Sequence, residues 1–349
     1  MKLAGVASSL PGNRFRQNVL MEALGNIWAE QLSSPALFER IHSRTGVEYR
    51  HLALPLAEYE NFKGWGQRNK AWLEVAQDLG ERAIDAALAR SGFARREMGA
   101  LVVTSVTGIA SPSLDAHLIN RMSLPTDIKR TPMFGLGCVG GAVGLTRAAD
   151  HVRAYPHQVA VLLAVEICSL TLQLGDLTTA NLIATGLFAD GAAAVVIAGA
   201  ERGCDGPEIA ASRSFFYPQT EDIMGWDISE RGFQVLLSPR LPALIRERLA
   251  RDVETFLSEC GLCSKDISNW ILHPGGPKVL DAIRDALQLS ERDLAISWDC
   301  LRRFGNLSSA SVLLVLEETM LKRSPTSGSY GLLIAMGPGF CAEMILIQW

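Results

Sequence analysis

The chain has 349 residues, of which 48% are hydrophobic and 20% are charged, and its formal net charge at pH 7 is −4. This composition excludes a disordered chain, and the lack of a long basic run excludes the pattern of a nucleic-acid-binding protein. The first apolar run meets Pro11 early, and no apolar stretch reaches the length of a membrane span. We therefore expect a cytoplasmic protein with no membrane span and no nucleic-acid partner.

Apolar runs and amphipathic segments alternate along the chain, which is the pattern of an α/β protein. In the first part of the chain the sequence predicts a helix over 70–91, a strand ending in a polar turn over 98–108 and a helix over 115–124. A strand edge, a tight turn and a helix follow within 133–156, and then strands over 158–170 and 191–200. In the second part it predicts a helix over 240–259, a strand over 269–276, helices over 277–287 and 310–322, and strands over 330–340 and 341–349. Several strands are apolar throughout, as expected for a sheet covered on both faces.

The alternating order of strands and helices repeats in the second part of the chain, which indicates two similar halves. The runs at 98–108 and 269–276 are candidates for equivalent elements of a duplicated unit. A Gly-rich, polar segment at 199–212 marks the boundary, and we divide the chain into halves 1–203 and 204–349. Because no low-complexity linker separates them, we expect a layered α/β fold with a functional site between the halves.

The cysteines are typical of free thiols, since their number, seven, is odd and their spacing irregular. Cys260 and Cys263 form one CxxC motif in SECGLCSKD. No second pair of ligands follows at the spacing of a zinc site. We interpret both as incidental thiols near a helix end and predict no metal site.

Cys138 stands where an apolar run turns into a helix, in MFGLGCVGGAVGLTRAADHVRAYP. Glycines surround it at positions 135, 137, 140 and 141. They allow a sharp turn and close packing of the helix. A helix that begins just after the cysteine favours the thiolate and lowers the thiol pKa. Cys138 is a candidate nucleophile, and a small core residue is the alternative.

Two further polar residues stand at junctions between strands and helices. His273 ends a buried strand before the Gly-Gly turn of WILHPGG, where open α/β sheets place their sites. Asn306 lies in a polar turn before a helix, in RRFGNLSSAS, and its amide can donate a hydrogen bond to a carbonyl oxygen. A core histidine and a helix cap are the structural alternatives. The chain has only six histidines, so a chance Cys–His pair at such turns is not expected.

Five segments together resemble the type III polyketide synthases, the chalcone synthase-like group of the thiolase-fold condensing enzymes. They are GCVGGAVGLTRAADH from residue 137, LFADGAAAVVI from 187, HPGGPKVLDAI from 273, FGNLSSASVLLVLEE from 304 and GPGF from 337. They follow the family's order and spacing over nearly the whole chain. Ketoacyl synthases of fatty-acid initiation share the Cys–His–Asn order but differ around the histidine and the asparagine.

The resemblance implies a thiolase-like layered αβαβα fold and a decarboxylative condensation. Cys138 would carry the starter acyl group as a thioester, with His273 as its imidazolium partner. His273 and Asn306 would hold the carbonyl of the malonyl thioester and stabilise the enolate formed when CO2 leaves. The substrates would be an acyl-CoA starter and malonyl-CoA, with no metal and no other cofactor.

The resemblance also implies residues that gate and shape a cavity. Phe188 matches the gatekeeper phenylalanine between the coenzyme A tunnel and the cavity, with an ordinary core aromatic as the alternative. The Gly337–Pro338–Gly339 loop matches the glycine-rich loop of the cavity wall. Further positions at which family members vary that wall are Thr107, Ser111 and Thr171. The family forms homodimers in which the residue at the Ser111 position helps to close the partner's cavity.

Other matched positions concern the starter and its carrier. Trp226 falls where the plant enzymes have a glycine, and Val235 where they have a second gatekeeper phenylalanine. The pocket would therefore be narrowed on one side and opened on another, which does not suit a coumaroyl starter. Arg40 and Arg44, four residues apart, would share one helix face and meet the phosphates of coenzyme A, with a solvated basic face as the alternative.

The leading hypothesis is an iterative synthase of the bacterial branch, which makes alkylpyrones, alkylresorcinols or tetrahydroxynaphthalene. The alternatives are a single-condensation ketosynthase, a pyrone-forming ketosynthase that joins two chains, and a non-catalytic acyl-binding scaffold. The intact Cys138, His273 and Asn306 argue against the scaffold. The starter, the number of extensions, the mode of ring closure and the carrier of the starter, coenzyme A or an acyl carrier protein, remain open.

Overall fold

The structure is a computed structural model that describes residues 1–323 and 325–349. Its helices are α1 (Gln17–Ile27), α2 (Pro35–Ser43), α3 (Leu56–Tyr59), α4 (Trp65–Ser91), α5 (Leu114–Met122), α6 (Gly140–Ala154), α7 (Thr179–Leu187), α8 (Leu241–Glu259), α9 (Pro277–Leu287), α10 (Glu291–Phe304) and α11 (Ser311–Arg323). Short 3-10 turns lie between several of them, including Gly137–Val139 and Cys168–Thr171.

The strands are β1 (Lys2–Ser9), β2 (Asn13–Arg16), β3 (Tyr49–Leu52), β4 (Met98–Thr104), β5 (Lys129–Met133), β6 (Val159–Ile167), β7 (Asp190–Ala198), β8 (Glu208–Phe216), β9 (Met224–Ser229), β10 (Gly232–Leu237), β11 (Ile267–Leu272), β12 (Tyr330–Gly337) and β13 (Cys341–Gln348). The predicted helix 277–287 coincides with α9. The strand and polar turn predicted over 98–108 are observed as β4 and the turn that follows Thr104. The predicted helix 70–91 begins at Trp65, since its polar first turn carries no apolar periodicity.

One mixed sheet runs through the molecule in the order β11-β12-β13-β8-β1-β7-β6-β4-β5. The strands β4, β5 and β6 are parallel, as are β11 and β12. The strands β7 and β13 run antiparallel to their neighbours. The orders β1-β7-β6-β4 and β8-β13-β12-β11 thus repeat the same arrangement on the two sides of the β1–β8 contact.

Three apolar clusters show how helices cover the sheet. The first joins α6 and α11 to inner faces of strands from both sides of the β1–β8 contact. The second packs α4 and α5 on the outer face of β1, β4, β6 and β7. The third packs α8, α9 and part of α10 on the outer face of β11, β12 and β13. These five layers are the αβαβα arrangement of the thiolase fold, with α6 and α11 as its central layer.

The described helices include none with the length and hydropathy of a membrane-spanning segment. All seven cysteines lie in the described residues, and none forms a disulfide. The described residues also hold no cluster of three or more histidine, cysteine or acidic side chains arranged to bind a metal ion.

Candidate active site

Cys138 lies in the 3-10 turn Gly137–Val139, between strand β5 and helix α6. The turn needs a glycine at position 137, where φ is +52°. The first turn of helix α6 packs closely against the segment that follows Asn306. A Cβ atom on Gly141 would lie 2.1 Å from the carbonyl oxygen of Ser309, so only glycine permits this approach. The predicted junction of turn and helix is observed, and the glycines bring two distant segments together.

His273 is the first residue after strand β11, and its backbone N–H continues the sheet by donating to the carbonyl of Ile334 at 3.0 Å. The turn closes when the N–H of Gly275 donates to the carbonyl of His273 at 2.9 Å. His273 is 3% exposed. Within the described part of the chain neither ring nitrogen has a hydrogen-bond partner, so both are available for a reacting group.

Asn306 follows α10 and is anchored to the segment that carries Phe188. Its N–H donates to the carbonyl of Leu187 and its carbonyl accepts from the N–H of Ala189, both at 2.9 Å. The side-chain oxygen accepts from the Ser308 N–H at 2.8 Å. This contact points the amide nitrogen of Asn306 away from Ser308 and toward the turn after His273. There the nitrogen donates one hydrogen to the carbonyl of Gly275 at 3.2 Å. The second hydrogen is directed toward the Cys138 sulfur.

These contacts bring the turns of Cys138, His273 and Asn306 to one buried place. The Cys138 thiol donates to the hydroxyl oxygen of Ser308 at 3.8 Å, and the Asn306 amide lies on the turn that begins at His273. The three residues are 5%, 3% and 1% exposed, respectively. A nucleophile, a base and a hydrogen-bond donor in one dry site are the components of acyl transfer.

Burial dominates the titration of this site. It raises the pKa of the Cys138 thiol to about 12, against the opposing hydrogen bonds of Ser308 and Asn306. Burial also lowers the pKa of His273 to about 4. The lower thiol pKa predicted from the start of the helix is therefore wrong for this closed site, because removal from water outweighs the helix terminus. Both shifts favour a neutral thiol beside a neutral imidazole.

The Gly337–Pro338–Gly339 loop packs directly on the turn of Cys138. A Cβ atom on Gly337 would lie 2.6 Å from the backbone nitrogen of Val139, and one on Gly137 would lie 2.7 Å from the ring of Pro338. The loop thus braces the nucleophile turn from the side of strand β12.

A cavity of about 450 Å³ adjoins this site. Side chains of α1, α3, α7, the turn Cys168–Thr171 and the β9–β10 hairpin line it. Four of the sequence-predicted cavity residues are in its wall, namely Phe188, Thr171, Trp226 and Val235. Trp226 and Val235 are direct register partners on the hairpin, so they shape the same stretch of wall.

The other five predicted cavity residues are not in this wall, namely Thr107, Ser111 and the Gly337–Pro338–Gly339 loop, which packs on the turn of Cys138 instead. The Thr107 hydroxyl donates to Glu166 at 2.9 Å and accepts from the Ile167 N–H at 2.9 Å, so it faces the interior below the turn of Cys138. Ser111 is exposed on the loop after β4. Thr107 faces the interior because a buried carboxylate needs donors.

The predicted basic pair is only partly on a helix. Arg40 lies on α2, but α2 ends at Ser43, and Arg44 has the φ of −102° and ψ of 9° of a chain leaving the helix. The expectation that both share one helix face is therefore wrong. Both side chains are exposed, as a contact with phosphate groups would require.

Sequence reasoning missed the buried groups around the nucleophile. Ser308 contacts the Cys138 thiol, and Glu166 accepts hydrogen bonds from Ser105, Thr107, Ser309 and the N–H of Val106. Burial raises the pKa of Glu166 to about 7. Glu166 is the only acidic residue in the apolar run predicted as a strand over 158–170, and that was the one available signal.

Comparison with known proteins agrees with this geometry. Residues 11–205 match the family model "FAE1/Type III polyketide synthase-like protein", and residues 208–349 match "Chalcone and stilbene synthases, C-terminal domain". A 1,3,6,8-tetrahydroxynaphthalene synthase of Streptomyces peucetius subsp. caesius is 48% identical over 350 residues, covering 99% of this chain and 93% of the relative. A putative chalcone synthase of Bacillus subtilis (strain 168) is 36% identical, covering 89% of this chain and 86% of the relative.

Solved structures extend the match to the whole fold. The crystal structure of 1,3,6,8-tetrahydroxynaphthalene synthase from Streptomyces coelicolor A3(2), a bacterial type III polyketide synthase, superposes with a TM-score of 0.95. It is 32% identical in sequence, and the match covers 100% of this chain and 99% of that chain. The comparisons support neither the single-condensation ketosynthase nor the scaffold. The chain belongs to the chalcone and stilbene synthase-like family of type III polyketide synthases, which condense acyl-CoA and malonyl-CoA substrates.

Proposed function

We propose that this polyketide synthase makes 1,3,6,8-tetrahydroxynaphthalene from malonyl-CoA alone. The observation that carries the proposal is the 48% identity to a synthase of that name over nearly the full length of both chains. A second synthase of that name, from Streptomyces coelicolor, is 34% identical over 89% of this chain. The product belongs to the polyhydroxylated aromatics that the family's chemistry yields.

Carbon counting explains why no other starter is needed. A naphthalene has ten carbon atoms, and each malonyl group contributes two after it loses CO2. Five malonyl-CoA molecules therefore give the ring system, with the release of five CO2, five coenzyme A and one water. The water comes from one aldol closure, and the second ring closes by a Claisen step that expels the enzyme thiol.

Loading of the starter begins with a neutral pair. The thiol of Cys138 attacks the thioester carbonyl of the starter, and its proton passes to a free ring nitrogen of His273. The thiolate of coenzyme A leaves and takes this proton. Both groups are buried, and a closed site disfavours separated charges. This supports a proton transfer from Cys138 to His273 that accompanies the attack, rather than a thiolate–imidazolium pair that exists before it.

Extension uses the remaining donors. The carbonyl oxygen of the next malonyl thioester accepts from the Asn306 amide, which turns this hydrogen from the sulfur to the substrate, and from the N–H of His273. Loss of CO2 leaves its electron pair on the enolate, which these donors stabilise. The enolate carbon attacks the acyl group on Cys138, the C–S bond breaks, and the lengthened chain returns to Cys138 for the next cycle.

The cavity limits the number of cycles. The chain grows past Phe188, whose backbone pairs with Asn306, into the space bounded by Thr171, Trp226 and Val235. The ring of Trp226 contacts that of Phe233 with centroids 5.9 Å apart, which gives the hairpin side of the wall a firm aromatic surface. The wall is aromatic on the side where a flat bicyclic product would form.

Several finer features belong to the same proposal. Arg40 and Arg44, both exposed, would hold the phosphates of coenzyme A, and the Gly337–Pro338–Gly339 loop would keep the nucleophile turn in place. Coenzyme A is preferred to an acyl carrier protein because malonyl-CoA serves as both starter and extender. We place the enzyme in the cytoplasm, since all seven thiols are free. Exposed Ser111 and Phe134, which is 47% exposed, favour a homodimer.

The test is a reaction of purified enzyme with carbon-13-labelled malonyl-CoA as the only substrate. We expect one aromatic product with ten labelled carbons, and its loss by at least about a thousandfold in the variant Cys138→Ala. Cys300→Ala, which removes another buried thiol, is the matched control and should retain activity. A product with fewer carbons, or a reaction that starts only when a second acyl-CoA is added, would contradict the proposal.

A further inference from the structure

A second buried carboxylate, Asp190, lies behind the cavity wall and has no part in the chemistry above. It is the first residue of β7, two positions after Phe188, and is fully buried. Its oxygens accept from the N–H of Ala53 at 2.6 Å, the N–H of Ser169 at 2.8 Å and the hydroxyl of Ser169 at 2.5 Å. The carboxylate is thus held in one orientation by three donors.

A chain of hydroxyl groups connects this carboxylate to the cavity. The hydroxyl oxygens of Tyr59 and Ser169 lie 2.6 Å apart, and both residues line the cavity. An ionised carboxylate only accepts, so Ser169 donates to Asp190 and Tyr59 must donate to Ser169. The chain therefore has one direction, from the cavity through Tyr59 and Ser169 to Asp190.

Glu166 does not offer such a path. Its hydrogen-bond donors are Ser105, Thr107, Ser309 and the N–H of Val106, and none of these residues lines the cavity. The position of Ser169 differs, since it lies between two residues of the cavity wall, Cys168 and Thr171. A polyketide on Cys138 that extends past Phe188 meets this part of the wall.

The surroundings of Asp190 leave its carboxylate able to accept a proton. Burial raises its pKa to about 6, and the buried guanidinium of Arg50 opposes this rise. Burial also raises the pKa of the Tyr59 phenol well above its usual range. At neutral pH the chain therefore consists of an ionised carboxylate and two protonated hydroxyls.

We propose that Tyr59, Ser169 and Asp190 form a proton relay that serves the aldol ring closure of the polyketide; the inference rests on the proposed function. A methylene group between two carbonyls gives its proton to the Tyr59 oxygen, while one hydrogen moves along each link and the last reaches Asp190. The carbanion forms a C–C bond with a carbonyl carbon of the same chain. The resulting alkoxide takes the proton back along the relay, and the hydroxyl leaves as water when the ring becomes aromatic.

If the relay is interrupted, the product should change while the rate of condensation should not. A chain that is not closed through carbon leaves as a lactone, because a 1,3-dicarbonyl unit enolises without the relay, its enol oxygen attacks the thioester, and the O–H proton passes to the departing thiolate. In Tyr59→Phe and Ser169→Ala we expect the rate of CO2 release to stay within about twofold, while the ratio of aromatic product to lactone falls by about tenfold or more.

Two controls separate the relay from a structural role. Ser169→Thr retains a hydroxyl and should restore the aromatic product. Tyr217→Phe removes another part-buried phenol, which donates to Asp252 at 2.6 Å outside the cavity, and should keep the wild-type ratio. Unchanged product ratios in both Tyr59→Phe and Ser169→Ala would overturn the relay and leave the proposed function standing. A wild-type enzyme that makes no aromatic product would overturn the proposed function and the relay together.

Discussion

The turns that carry Cys138, His273 and Asn306 differ from the cavity wall in how they are built. The turns follow strands or precede helices of the buried layers, and backbone hydrogen bonds and close glycine contacts position them. The cavity wall is assembled from the short helices α1 and α3, the helix α7 and the β9–β10 hairpin, which is a separate two-stranded sheet. One region is fixed by the core, whereas the other lies on its periphery.

This difference separates two tasks. Condensation repeats the same bond-forming step in every cycle and needs one invariable geometry, which a rigid core supplies. The number of cycles and the mode of ring closure depend on the shape of the wall, where side chains can change without disturbing the layers. We therefore expect changes in the turns to alter rate, and changes in the wall to alter the product.

Loss of the Asn306 amide should have the largest effect on rate among the variants that retain the nucleophile. In the proposed mechanism Asn306→Ala removes a donor to the thioester oxygen, and removal of one such donor lowers the rate by about 100- to 1,000-fold. The measurement is release of labelled CO2 from malonyl-CoA, with the melting temperature recorded as a check of folding. A folded variant with wild-type CO2 release would show that Asn306 is only a structural residue.

The neutral thiol predicts a steep pH dependence of alkylation. Only the thiolate reacts with iodoacetamide, so a pKa of Cys138 near 12 requires the rate at this residue to rise about tenfold per pH unit from about pH 6 to about pH 9. Peptide mass spectrometry measures the rate at Cys138, with exposed Cys263 as an internal reference. A rate that is constant over this range would instead indicate a thiolate–imidazolium pair in the free enzyme.

The rigidity of the turns is testable through stability. In Gly337→Ala the new methyl group would lie 2.6 Å from the Val139 nitrogen, and we expect the free energy of unfolding to fall by about 1–3 kcal/mol. Gly175→Ala, three positions after the cavity-wall residue Leu172, is the control, because no heavy atom lies within 4 Å of its Cβ position. Chemical denaturation of both variants gives the comparison. Equal stability of the two would contradict the view that the turns are more tightly packed than the wall.

The sequence was sufficient for the layers and for the three turns. Helices such as α9 show a clear 3.6-residue period, and Cys138, His273 and Asn306 each stand at a junction marked by glycine and an apolar run. These signals are local, so they can be read without knowledge of the fold. The end of α2 at Ser43, before Arg44, could not be placed to the residue, because the nearest helix breaker, Gly46, stands two positions beyond Arg44.

The relay and the groups beneath the nucleophile could not be predicted for a different reason. Asp190 lies in the matched segment LFADGAAAVVI, but Tyr59 and Ser169 belong to none of the matched segments, and Tyr59 is far from both partners in the chain. Their contact depends on how α3 and the turn after β6 pack on the first residue of β7. The thiol pKa was also beyond local reasoning, because the extent of burial is a property of the assembled layers.

The most direct test of the separation between turns and wall is to measure CO2 and aromatic product in one reaction, for the wild type and for Trp226→Ala. The wild type should release five CO2 for each aromatic molecule. The variant widens the wall on the β9–β10 hairpin, which carries none of the three turns, so its rate of CO2 release should remain within about twofold while the CO2 released per aromatic molecule rises. If CO2 release falls in proportion to the aromatic product, condensation and product shape depend on the same residues, and the separation is wrong.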